Sequence, residues 1–406
     1  MKLSVMVSLE DSVLVYGTWG RVGVYHILNK LHRAGVSRVY WRSRGNGQAD
    51  YPSRLTETKL TIYPDEIEND MRSLIKGSED WINEAVNFDE FDHFKCARER
   101  CAELGMEFVV WEETRGEDHG HQQYSQFVKR YPQFLSVTRD GRRAWSELGW
   151  SFPEVMERRV GFFREVIGYE PDGVYFDFVK SGDDVVGRLD RDGYWNMGYE
   201  KPMVEGFREK TGRDPFSISN RDREWLQYQS DYVTEYLRRC KAIRDTFFPD
   251  VELGAFAVQP KYSASHLGKE ADQALAFYPD DPLGNLEDHD TWIREKLVSR
   301  YVIGHTCRGE FDVLETVPHQ IAMAKERLGS PVPFALEVET YSNREAVAGD
   351  WLDKLIAIAG KENIGELILR EATPMWPHTN MWRALGERFN AQSQAPGKGT
   401  DTLERR

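Results

Sequence analysis

Cysteine is scarce in this chain. Four thiols occur in 406 residues, at Cys96, Cys101, Cys240 and Cys307, and no two of them form a CxxC pair. That excludes a disulfide framework and a zinc-finger ligand set. Cys96 and Cys101 stand five apart in a helical pattern, on different faces, so they read as buried free thiols and favour a reducing compartment. Long apolar runs are missing too, and without 18 consecutive apolar residues no helix is expected to span a bilayer. The opening MKLSVMVSLEDSV breaks its apolar segment with Ser, Glu and Asp and makes a poor signal peptide. On the chain as given a cytoplasmic location is favoured; a trimmed precursor would make it periplasmic or secreted. Positive charge is also in deficit, with 53 Lys and Arg against 67 Asp and Glu and a net charge of −14, which argues against a nucleic-acid-binding surface. GxGxxG, GxSxG, the P-loop and HExxH are all absent, and no cofactor is expected.

What the chain has is a globular balance, 40% hydrophobic and 30% charged, and a recurring theme of amphipathic helix, glycine turn and apolar strand. In VGVYHILNKLHRAGVSRVYWRS, Val24, Ile27, Leu28 and Leu31 keep helical spacing, Gly35 suits the position after the helix, and Val36 to Trp41 reads as a strand. FDHFKCARERCAELGMEFVVWEE repeats the pattern, with Gly105 as the stop and Met106 to Trp111 as the strand. A third copy begins at SFPEVMERRVGFF, where Ser151 and Glu154 suggest a capping box and Pro153 suits the first turn; it leads into PDGVYFDFV. Further strands are expected in VELGAFAVQ, SRYVIGH, VPFALEVE and IGELILRE, and a shorter one within FLSVTRDGRRAWSELGW. Eight such units predict one closed (β/α)8 barrel over residues 1–390, because parallel strands need helical crossovers and closure removes the edges. Residues 179–199 form an extended loop after the fourth strand, and 391–406 read as a disordered tail.

The acids fall in a pattern. Strand side chains alternate, so in the fourth strand Val174, Phe176 and Phe178 suit the outer helices while Tyr175 and Asp177 point into the barrel. In FALEVET, Ala335, Glu337 and Glu339 point inward on the same reasoning. Glu112 and Glu113 end the second strand of this count, and Glu371 follows the eighth. A barrel mouth edged by carboxylates suits glycoside hydrolysis, in which one carboxylic acid protonates the leaving oxygen and a second carboxylate attacks or activates water. The candidate catalytic residues are Asp177 and Glu337, with Glu339, Glu113 and Glu112 as alternatives for the second role. Trp41, Trp111, Trp195 and Trp376 could stack on sugar rings, and Tyr175 and Glu371 lie in the same zone. Arg42, Arg44, Arg115 and Arg370 could hold a carboxylate or sulfate, which allows for an acidic or sulfated glycan. A structural alternative is that Arg42 or Arg370 pairs with Asp177 or Glu337 and holds the mouth together. In EDHGH, His119 is a candidate substrate contact; with His121 it lacks a second histidine cluster, so no metal is expected. His305, grouped inward with Tyr301 and Ile303 by alternation, is either a core histidine or a sugar contact.

The ordered motifs GVSRVYW, GMEFVVWEE with HGH, SFPEVMERRVGFFREVIGYEPDGVYFDFV, GYEKPMVEGFREKTGRDP, WIREKLVSRYVIG and IGELILRE resemble the glycosyl-hydrolase-like family 10 barrels, over roughly residues 20–385. The resemblance implies a (β/α)8 fold and a carbohydrate-active role, with Asp177 matching the acid that ends the family's strand. Many relatives carry a second acid next to it, where this chain has Phe178, so that role passes to Glu337, Glu339, Glu112 or Glu113. The partner implied is a carbohydrate; a barrel that binds glycan without cleaving it is the alternative.

Overall fold

In a computed structural model of the chain, the described residues are 1–9, 11, 19–45, 47–56, 87–88, 90–114, 117, 124–177, 196–257, 286–303, 318, 321–322, 325–326, 333–339, 350–370, 372, 375 and 379–393. Eight parallel strands close into a barrel: β1 (Lys2–Val7), β2 (Arg38–Arg42), β3 (Glu107–Glu113), β4 (Gly173–Asp177), β5 (Glu252–Ala257), β6 (Arg300–Ile303), β7 (Phe334–Glu339) and β8 (Glu366–Arg370). Each pairs with its neighbours in chain order, and β1 joins β8, with Lys2 opposite Glu366 and Val5 opposite Leu369. The helices α1 (Arg21–Arg33), α2 (His93–Leu104), α3 (Pro153–Ile167), α4 (Lys201–Thr211), α5 (Arg223–Phe247), α6 (His289–Arg294), α7 (Asp350–Lys361) and α8 (Thr379–Ser393) accompany them.

The count of eight strands is right, but one expected member is replaced by another. The opening apolar segment is β1, buried at five of its six positions. A strand covered on both faces shows no alternation, so its sequence looks like any short apolar run. The strand expected within FLSVTRDGRRAWSELGW is instead part of an antiparallel hairpin outside the barrel, Leu135–Val137 with Arg143–Leu148. Its turn uses Gly141 at a φ of 84°, which glycine adopts without strain. The strands that end in acids are therefore the third, fourth and seventh.

Alternation separates the core into two parts. Val39, Trp41, Phe108, Val110, Val174, Phe176, Leu336 and Val338 pack outward against the helices. Met6, Tyr40, Val109, Trp111, Tyr175, Phe256, Val302, Ala335 and Ile368 fill the lumen, so every strand contributes to it. The parity expected for β4 and β7 holds at the described side chains. For β6 it reverses: Val302 is inside, while Tyr301 and Ile303 join the outer layer.

The base of the lumen is ionic. Glu366, wholly buried, accepts from Ser4 Oγ at 2.6 Å, Tyr40 OH at 3.0 Å, Arg38 at 3.3 Å and Arg300 at 2.8 Å. Arg38 also meets Glu107 and Glu252, and Arg300 clasps Glu252 through two nitrogens at 2.7 and 2.9 Å. Helix ends follow the expected chemistry at Gly105, which is left-handed at φ 67°. They depart from it at α3. Pro153 opens that helix behind Phe152 with no side-chain cap, and Ser151 donates to Glu200 at 3.0 Å instead. Helix α8 runs to Ser393, three residues into the stretch read as a tail.

Candidate active site

The strands deliver Asp177, Glu337 and Arg370 to one place. Asp177 ends β4 and Arg370 ends β8, which lie opposite each other in the barrel order, and Glu337 comes from β7. The Arg370 side chain therefore reaches across the lumen. Its guanidinium donates to Glu337 Oε1 at 2.7 Å and to Asp177 Oδ2 at 3.1 Å. Both carboxylates are at 0% exposure and Arg370 at 6%. Such burial of charge is tolerable only with partners of this kind.

Two lumen aromatics complete the arrangement. Trp111 Nε1 donates to Asp177 Oδ2 at 2.8 Å, and the Arg370 guanidinium lies over the indole, 5.1 Å from its centroid. Tyr175, one step below Asp177, donates its hydroxyl to Glu337 Oε2 at 3.3 Å. Burial, then Asp177 and Glu337, push the Tyr175 phenol well above its ordinary value, so it stays protonated and remains a donor. Gly254 on β5 lies beside this ring, where an added Cβ would make an ordinary contact with it at 3.8 Å. Glu113, 5% exposed, stands opposite Asp177 in the β3–β4 register and on the same face as Trp111. The main chain is pinned here as well, because Thr114 donates through both N and Oγ1 to the Asp177 carbonyl, at 3.2 and 3.0 Å.

Arg42 also belongs to the mouth. It lies over Trp111 at 5.8 Å and donates from Nε to Asp50 Oδ2 at 3.1 Å. Asp50 sits in an irregular loop with no periodic signal around it, so nothing in its neighbourhood marks it as a partner. The indole of Trp111 thus supports two guanidinium groups.

Three residues expected at the sugar site are elsewhere. Trp41 is fully buried in the outer layer, against His93 at 5.2 Å and Phe108 at 6.4 Å. Glu112 is also fully buried on the outer side, bound to Ser43 and to Arg44 Nε at 3.2 Å. Burial raises its carboxyl above the ordinary value despite these donors. Arg44, 2% exposed, lies 4.2 Å from the Phe162 ring of α3 and donates to the Glu113 carbonyl, so it supports the wall from behind. For Trp41 and Glu112 the physical reason is parity, since each stands one position from an inward residue, Arg42 or Glu113; Arg44 lies beyond the end of β2.

His119, His121, Trp195, His305, Arg115, Glu371, Trp376, Phe178 and Cys307 lie outside the described residues, as do the side chain of Glu339 and residues 179–195 of the loop that follows β4. The backbone of Glu339 pairs with Arg370. Cys96, Cys101 and Cys240 are buried free thiols. Among the described residues no group of three His, Cys, Asp or Glu side chains is placed to hold a metal ion, and no helix is long and apolar enough to cross a membrane.

No family model and no curated protein matches the chain. Solved structures do. The glycoside hydrolase domain of PgaB (BpsB) from Bordetella bronchiseptica aligns with a TM-score of 0.58 at 12% identity, covering 95% of this chain and 98% of that one. The beta-galactosidase from Bacillus circulans sp. alkalophilus also gives 0.58 at 12% identity, and that from the psychrophilic Marinomonas ef1 gives 0.55 at 11%. This chain is covered to 97% in both cases and spans 56% and 60% of those enzymes. At such identities the likeness is one of fold: a closed (β/α)8 barrel of the kind found in these glycoside hydrolases.

Proposed function

We propose that this barrel is a glycoside hydrolase of the glycosyl-hydrolase-like family 10 type, cleaving an oligo- or polysaccharide with Asp177 and Glu337. One observation carries the reading. Two wholly buried carboxylates from separate strands meet a single guanidinium at the end of the barrel where such enzymes keep their chemistry. The ordered sequence motifs and the fold shared with glycoside hydrolases support it. In this reading Asp177 and Glu337 divide the roles of nucleophile or base and proton donor, and Trp111, Tyr175 and Arg370 hold them in place. Glu113, beside Asp177 in register, is the nearest substitute for the second role, with Glu339 after it.

The bonds of Arg370 to both acids favour a second reading, a barrel that holds glycan without cleaving it. Product formation on long incubation with polysaccharide decides between the two. For the hydrolase, Asp177→Asn and Glu337→Gln should each lower turnover by about 10²–10⁴, the usual contribution of a positioned acid or base. Wild-type rates in both variants would remove these residues from the mechanism.

A further inference from the structure

The top of the lumen carries more negative than positive charge among the described residues. Asp177 and Glu337 meet Arg370, and Asp50 meets Arg42, three carboxylates to two guanidinium groups. Both arginines, which the sequence offers as hooks for a sugar carboxylate or sulfate, already bond to acids of the protein itself. Arg370 bridges Asp177 and Glu337, and Arg42 holds Asp50, whose side chain is fully buried.

We propose that the reacting subsite accepts a sugar ring without negative charge, neutral or amino-substituted, and rejects uronate and sulfated rings. The inference rests on the glycoside-hydrolase reading and deepens it. An anionic ring could gain either of these two guanidinium groups only by taking it from a buried carboxylate, which would then stand uncompensated. Left unpaired, the anion would stand beside the carboxylates of Asp177 and Glu337, in surroundings where water screens little. A neutral ring meets neither obstacle, because its hydroxyls donate to carboxylate oxygens. An ammonium group adds attraction.

The test uses the full chain and three sets of polymers: neutral glucans, galactans and mannans; partly deacetylated chitosan; and polygalacturonate, alginate and heparan sulfate. Release of reducing ends gives kcat/KM, and titration calorimetry on the same polymers gives affinity. The proposal expects cleavage within the first two sets and a kcat/KM at least about a hundredfold lower for every acidic polymer, as like-charge juxtaposition implies. Preferred cleavage or tightest binding of an acidic polymer overturns it. Binding of neutral or amino polymers over acidic ones, with no product from any, supports the charge selection and sinks the hydrolase reading alone. A chain that neither cuts nor binds any polymer overturns both.

Discussion

Trp41 on β2 stands opposite Val110 on β3, while its neighbour Arg42 stands opposite Trp111. That offset of one position sends the first indole to the helix layer and the second into the lumen. Of these two indoles, only that of Trp111 therefore touches a candidate catalytic residue. Trp41→Phe should reduce stability by about 1–2 kcal/mol through lost packing while leaving KM unchanged within about twofold. Denaturant unfolding and steady-state kinetics check the two halves, and a large rise in KM would return Trp41 to the sugar site. Glu112 and Glu113 divide in the same manner, the first bound behind the wall to Ser43 and Arg44, the second facing the lumen beside Asp177. Adjacent residues of identical chemistry thus have unrelated surroundings.

At the scale of the strand, the inward rows of β8 and β2 run from a charged residue at the base through the packed middle of the lumen to an arginine at the top. On β8 the row is Glu366, Ile368 and Arg370, and on β2 it is Arg38, Tyr40 and Arg42. The base makes folding dependent on pH. Burial alone would raise the Glu252 carboxyl, but bonds from Arg300 and the charge of Arg38 outweigh it and hold the group below its ordinary value. Glu107, bonded to Lys2 and Arg38, is lowered in the same sense. A lowered carboxyl contributes stability that is present above its unfolded value, 4.5 for glutamate, and lost as pH falls through the lower folded value. The urea midpoint should therefore drop as the solution is acidified below that range. A midpoint flat down to about pH 3 would mean that the base contributes no such linkage.

For the whole molecule, closure depends on β1, since Lys2–Val7 joins β8 to β2. Removing residues 1–7 would expose the edges of two strands and the apolar lumen together. The shortened chain should lose its near-ultraviolet circular dichroism and bind a hydrophobic dye, whereas a native-like spectrum would show that seven strands suffice. The hairpin Leu135–Val137 with Arg143–Leu148 plays no part in closure. It meets the segment before α4 instead, where the Tyr199 amide donates to Val137 O at 2.9 Å and Glu200 accepts from Ser136 Oγ at 3.4 Å.

Seven of the eight barrel strands, the lumen-facing parity of Asp177 and Glu337, and the glycine that ends α2 were legible in the sequence, because period-two alternation and left-handed turns are local properties. The remaining one, β1, was hidden by burial on both faces. Arg370 was legible as a charged residue at a strand end, and its pairing with Asp177 or Glu337 was offered as a structural alternative; that it bridges both acids at once was not, since that depends on where β4 and β7 lie relative to β8. The pairing of Asp50 with Arg42 was invisible for a similar reason.

By itself the sequence determined a closed βα barrel and a set of acids on the inward rows of its strands, because alternation along a strand and helix-to-strand order are written residue by residue. Only the tertiary structure decided which acids share a site, which arginine joins them and which tryptophan stands beside them. Those depend on the order of strands around the barrel, which brings residues 66, 162 and 193 positions apart into hydrogen-bonding distance.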